Sequence, residues 1–167
     1  TGTEIFVVNA GVNYNFAGET NLDTSHFIIK KVGCATKNFA KEEAMTADEA
    51  ESAIRHGYDL AQTAYDDGVN VLALGDMGIG NTTVATAVAV AAGLNIDAIH
   101  DIGTVIDDAT LAHKKDVVLD AIERLRPAAD DPMDILRKVG GFCIAEMVGV
   151  ILKCASLSLP IVLDGFP

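Results

Sequence analysis

Apolar residues fall along this chain in two rhythms, short β-branched runs alternating with longer stretches whose apolar positions recur every three or four residues. The first run, Glu4 to Ala10 (EIFVVNA), predicts a buried strand. From Gly11 to about Phe39 the chain is polar and reads as irregular, with Asn13, Asn15, Gly18, Asn21 and Gly33 as turn formers. Thr46 followed by Glu49 makes a capping box, opening a helix that runs to about Asp67 and ends at Gly68. Asn70 to Leu74 predicts a second strand. Thr82 to Ala92 predicts a helix apolar nearly all round, and therefore buried.

Ala98 to Thr104 predicts a short strand and turn. Asp107 or Asp108 caps an amphipathic helix that reaches Arg126, just before Pro127. Asp131-Pro132 supplies a cap and a first-turn proline for one long helix towards Ser156. Gly140-Gly141 inside that helix costs about 1 kcal/mol per glycine against alanine, which close packing of another backbone, or approach of a ligand, would offset. Pro160 to Leu163 predicts the last strand. Strands alternating with helices predict a parallel sheet covered on both faces. The chain has no initiator Met, starts just before one strand and stops just after another, so a piece of a larger protein is expected.

A length of 167 residues suits one domain with a real core. Hydrophobic residues make up 50% of the chain and aromatics only 5%, so that core is built from Ala, Val, Ile and Leu. With 12 basic and 24 acidic residues the net charge is −12, which argues against nucleic acid or an anionic membrane as partner. A small anion stays possible, because a helix N-terminus and one lysine reverse the potential locally. The cysteines, Cys34, Cys143 and Cys154, form no CxxC and are odd in number, so buried reduced thiols are expected. Cys143 and Cys154 would lie about 16 Å apart on one helix, too far for a bridge. Nothing reads as a signal peptide or bilayer span, and a cytoplasmic protein is expected. His26, His56, His100 and His113 show no metal-ligand spacing, and no metal or cofactor is predicted.

Four motifs could carry chemistry. In GDMGIGNTT, Gly75 to Thr83, glycines admit a ligand to the backbone while Thr82 and Thr83 open the next helix, whose unpaired N–H groups favour an anion. A P-loop would have lysine at Asn81, and a dinucleotide turn would have glycine at Thr83. One phosphate fits what remains, and a plain βα turn capped by Asn81 is the alternative. In IGTVIDDATLAHKK, Gly103-Thr104 makes a second turn and Lys114 either reaches back towards it or is a solvated lysine. In DPMDILRKVGGFCIAEMVG, Glu146 reads as an exposed edge of the apolar stripe rather than a buried functional carboxylate. In IVLDGF, Asp164 stands at the carboxyl end of a strand, where an α/β site places polar contacts; a turn-forming Asp-Gly explains it equally.

Taken together, the chain resembles the nicotinate-nucleotide:dimethylbenzimidazole phosphoribosyltransferases, through VVNAGVN at Val7–Asn13, KKVGCATKNFAKEEAMT at Lys30–Thr46, GDMGIGNTT, GTVIDDATLAHKK, DPMDILRKVGGFCIA and PIVLDGF. The resemblance implies a three-layer α/β/α Rossmann-like parallel sheet, truncated at both ends, with residues 1–167 as the central part of one domain. It implies a homodimer that moves the phosphoribosyl group of nicotinate mononucleotide to dimethylbenzimidazole or a related base, releasing nicotinate.

The residues it carries over for the phosphoribosyl group are Asp76, Met77, Gly78, Gly80, Asn81, Thr82 and Thr83. Gly103, Thr104 and Lys114 match the second turn and its lysine, and Asp164 and Gly165 the strand end. Asp76 stands where the family has Glu, and Asp101 and Val105 where it has glycines. The family's general-base Glu lies in a later glycine-rich segment, so no catalytic residue is expected within this chain. A nucleotide-monophosphate-binding module without chemistry is the competing reading, and Asn81 argues against a nucleotide triphosphatase.

Overall fold

Thr46 starts the longest helix as its side chain predicts. Its hydroxyl accepts from the Glu49 amide at 3.2 Å and the Glu49 carboxylate accepts from the Thr46 amide at 2.7 Å. The structure, a computed structural model, describes residues 2–19, 21–99, 107–163 and 165. In chain order the elements are β1 (Val7–Asn9), β2 (Phe27–Ile29), α1 (Ala47–Asp66), β3 (Leu72–Leu74), α2 (Asn81–Ala91), a 3-10 turn (Ile96–Ala98), α3 (Asp108–Leu125), α4 (Pro132–Val139), α5 (Phe142–Leu157) and β4 (Ile161–Leu163). This is an α/β fold with parallel strands, as expected.

The strands pair as β1 with β2 and β3 with β4, both parallel, with Val7 opposite Phe27 and Leu72 opposite Ile161. Among the described residues these are two separate pairs rather than one continuous sheet. Strand β2 falls inside the stretch that reads as irregular. The expectation of burial on both faces also fails, since Val7, Val162 and Leu163 are 54%, 52% and 64% exposed. Leu72, Leu74 and Ile161 of the second pair pack against the buried cluster of Ala61, Val150 and Cys154.

Helices α1 and α5 form the spine. The buried stripe of α1 is Ala50, Ala53, Gly57 and Ala61, all small, and it admits α5 to backbone distance. A Cβ on Gly57 would lie 1.8 Å from the Glu146 carbonyl oxygen, and one on Gly149 would lie 1.9 Å from that of Ile54. One half of the spine packs with Met45, Leu136 and Phe142 under Ala10 and Val32, which follow β1 and β2. The other half, through Ala61, Val150 and Cys154, packs under β3 and β4. A third cluster joins α2, α3 and α4 through Ala87, Ala91, Val118, Ile135 and Val139.

The single helix expected from Asp131 to Ser156 is two. Asp131 caps α4 with Pro132 in its first turn, but the chain turns extended at Gly140 and Gly141, and Gly141 is the N-cap of α5. A side chain at Gly140 would meet the Leu136 carbonyl oxygen of its own helix at 2.4 Å, so no second backbone explains this pair. The close backbone packing expected there occurs at Gly57 and Gly149. Ala98 belongs to the 3-10 turn rather than a strand, and residues 100–104 of that expected element lie outside the described residues. Helix α2 has no exposed residue, as its composition predicts, and Asp107 is the cap of α3. All three cysteines are free, but Cys34 is exposed rather than buried. No helix among the described residues is long and apolar enough to cross a membrane.

Candidate active site

The turn from Gly75 to Gly80 leaves β3 at its carboxyl end and enters α2. Gly80 has φ +79° at the N-cap, a left-handed conformation that side chains other than glycine adopt only with strain. Met77, Gly78, Ile79 and Gly80 are exposed, and Asp76 is half-buried. The first-turn amides of α2, expected to be free, are engaged. Asn81 N–H donates to the Gly78 carbonyl at 3.3 Å, Thr83 N–H to that of Gly80 at 3.0 Å, and Thr82 N–H to the Asn81 side chain at 2.8 Å. The amides of Gly78, Ile79 and Gly80 have no acceptor among the described residues. Successive unpaired amides in such a turn form an anion-attracting concavity, reinforced by the positive end of the α2 dipole.

Lys114 supplies the cation. It begins the buried stripe of α3 that Val118 and Ala121 continue, so the period that packs α3 also carries the lysine inwards. Only 8% exposed, it donates from Nζ to Thr82 Oγ1 at 3.1 Å, and no carboxylate among the described residues pairs with it. Burial pushes its ammonium below the ordinary lysine range. The solvated alternative is thereby overturned. Thr82 is itself buried, and its carbonyl accepts from the Thr86 hydroxyl at 2.7 Å, which fixes the first turn of α2.

Pairing of Leu74 with Leu163 brings the ends of β3 and β4 together, so Gly75 and Gly165 leave the sheet side by side. Both line an apolar groove of about 260 Å³, with Leu74 and Leu163 on the strands and Ile144, Met147, Val148 and Ile151 on α5. Gly165 adopts φ +82° there. Asp164, Gly103 and Thr104 lie outside the described residues, as do Asp101 and Val105. Thr83 is half-buried on α2 beside Thr82.

Two groups on α5, the half-buried Cys143 and the buried Glu146, are placed by the structure in ways that a reading of the sequence does not give. Cys143, in the first turn of α5, donates from Sγ to Asp76 Oδ2 at 3.6 Å. Burial and the adjacent Asp76 charge push this thiol up to about 12. Glu146 is 5% exposed, not the exposed edge that its stripe suggests, and burial pushes its carboxyl up to about 7 against the opposing charge of Lys30. Its Oε1 lies 3.7 Å from His56 Nδ1, which donates to the Lys30 carbonyl at 2.8 Å. The signal available for Glu146 was Gly57, which brings the two helices into backbone contact there. Among the described residues no three His, Cys, Asp or Glu side chains are placed to hold a metal.

Comparison with known proteins decides the family, since the model of a family described as phosphoribosyltransferase matches residues 1–167. The chain belongs to the phosphoribosyltransferase family. The chain is 42% identical over 166 residues to the nicotinate-nucleotide–dimethylbenzimidazole phosphoribosyltransferase of Geobacter sp. (strain M21), a match covering 99% of this chain and 46% of that protein. The enzyme of the same name from Geobacter sulfurreducens is also 42% identical, with the same coverage. Among solved structures, CobT from Thermus thermophilus superposes with a TM-score of 0.86 at 37% identity, over 97% of this chain and 47% of that one. The chain thus spans about half the length of the curated relatives it matches.

Proposed function

We propose that the full-length protein transfers the phosphoribosyl group of nicotinate mononucleotide to dimethylbenzimidazole or a related base, and that residues 1–167 are the central, phosphate-holding part of one domain. One observation carries this reading: a buried ammonium, Lys114, sits on the first turn of α2 with only the Thr82 hydroxyl as partner among the described residues. A buried cation without a carboxylate is costly unless an anion completes it. The exposed amides of Gly78 and Gly80 lie at the same helix end, and the 42% identity to named enzymes of this reaction supports the choice of anion.

In this reading the phosphate rests on the turn from Asp76 to Gly80, with Met77 on its exposed side, at the α2 terminus formed by Asn81, Thr82 and Thr83. Gly103, Thr104 and Asp164, which lie outside the described residues, and Gly165 are the remaining ligand contacts that the resemblance carries over. Clamping the phosphate orients the anomeric carbon. A base nitrogen then forms its bond to that carbon as the bond to nicotinate breaks. The proton from the incoming base goes to a general base outside residues 1–167, so none of these residues is assigned that role. The protein works in the cytoplasm as a homodimer. Crystals of the full-length protein soaked with nicotinate mononucleotide test the site. Density for the phosphate against the Gly78–Gly80 amides and Lys114 Nζ is expected, and a phosphate bound elsewhere would overturn the assignment.

A further inference from the structure

Asp76 opens the glycine turn and is tied down at two points. Its backbone carbonyl accepts from Asn81 Nδ2 at 3.3 Å, and its carboxylate accepts from Cys143 Sγ at 3.6 Å. Cys143 is the second residue of α5, and the neighbouring Gly141 backs onto α2, where a Cβ would stand 3.4 Å from Val84 Cγ1. The starts of α2 and α5 are therefore packed together with the Asp76 carboxylate between turn and helix. The N-terminal end of α5 is a favourable place for a negative charge.

A carboxylate free on the exposed face of the turn would repel a phosphate a few ångströms away. We propose that Cys143 is a positioning residue, whose thiol holds the Asp76 carboxylate on α5 and so fixes the shape of the anion-binding turn. The consequence for binding rests on the phosphate-site reading above, whereas the contact between thiol and carboxylate does not. Burial and the Asp76 charge keep this thiol protonated at neutral pH, so it acts as a hydrogen-bond donor and not as a nucleophile.

Two readouts on the full-length protein, in a Cys34→Ser background that removes the exposed thiol, test this. The first is the pH dependence of Cys143 alkylation by iodoacetamide. Asp76→Asn should move its midpoint to lower pH by about one pH unit or more, and an unchanged midpoint would overturn the contact. The second is calorimetric affinity for nicotinate mononucleotide. Cys143→Ala should bind about 3–10-fold more weakly, while Cys143→Ser, which donates to the same oxygen, should stay within about twofold of the parent. A parent that does not bind this nucleotide would count against the phosphate site, and the alkylation midpoint would still decide the contact. Equal affinity of a binding parent and Cys143→Ala would overturn the positioning role.

Discussion

The ammonium of Lys114 donates to the hydroxyl of Thr82 across 3.1 Å, joining the buried face of α3 to the first turn of α2. Lys114→Met keeps most of the stem that packs there and removes the charge. Binding of nicotinate mononucleotide should weaken about 10–100-fold, since a charge-assisted contact is worth about 1.5–3 kcal/mol. The melting temperature should change little or rise, because a buried ammonium is no longer desolvated on folding. Calorimetry paired with a thermal melt separates the two effects, and unaltered affinity would show that Lys114 serves packing alone.

Gly80 bears on the shape of the turn rather than its room. No atom lies within 4 Å of a Cβ built on it, but its φ of +79° strains other residues. Gly80→Ala should therefore cost about 1–2 kcal/mol, and Gly80→Val more, with loss of nucleotide binding. Gly80→Asn should lose least, since asparagine tolerates this conformation. Urea unfolding of the three variants gives the order, and Ala and Asn losing equally would argue against a conformational cause.

Gly57 and Gly149 should be the least replaceable glycines among the described residues. An alanine at either forces α1 and α5 apart by meeting a backbone carbonyl at under 2 Å, costing about 3 kcal/mol or more. Gly75→Ala meets no atom within 4 Å and should stay within about 0.5 kcal/mol of the parent. Similar losses at Gly57 and Gly75 would contradict the packing described.

Glu146 should make stability fall with rising pH. Its carboxyl is pushed up to about 7 by burial, against 4.5 for the unperturbed group, so the folded state holds the proton more tightly. The contribution is fully present below about pH 4.5 and is lost as pH rises through about 7. Glu146→Gln removes this dependence and should exceed the parent by about 1–3 kcal/mol at pH 8, with a much smaller difference at pH 5. Urea titrations at the two pH values check it, and a difference independent of pH would count against a buried carboxyl.

Features satisfied within a few residues were legible in the sequence. The Thr46–Glu49 box, the Asp107 cap and the Asp131-Pro132 start each hydrogen-bond locally, and all three open helices where expected. Gly140-Gly141 was not, because a glycine pair weakens a helix only modestly and the break depends on the turn before it. Strand β2 is three residues long and has no period to detect. The α3 stripe shows that Lys114 points inwards once Val118 and Ala121 are seen as buried, but not that Thr82 receives it. Resemblance named the turn from Asp76 to Thr83, whereas the Cys143–Asp76 contact joins positions 67 apart and needs the packed helices to exist.

The most direct measurement supplies nicotinate mononucleotide and dimethylbenzimidazole and follows α-ribazole phosphate. The full-length protein should form it, and the isolated 167-residue chain should not, because a positioned base worth about 10²–10⁴-fold lies outside these residues. Lys114→Met in the full-length protein should lose most of the activity at low nucleotide concentration. No product from the folded full-length protein, or turnover by the isolated chain at its rate, would contradict this account.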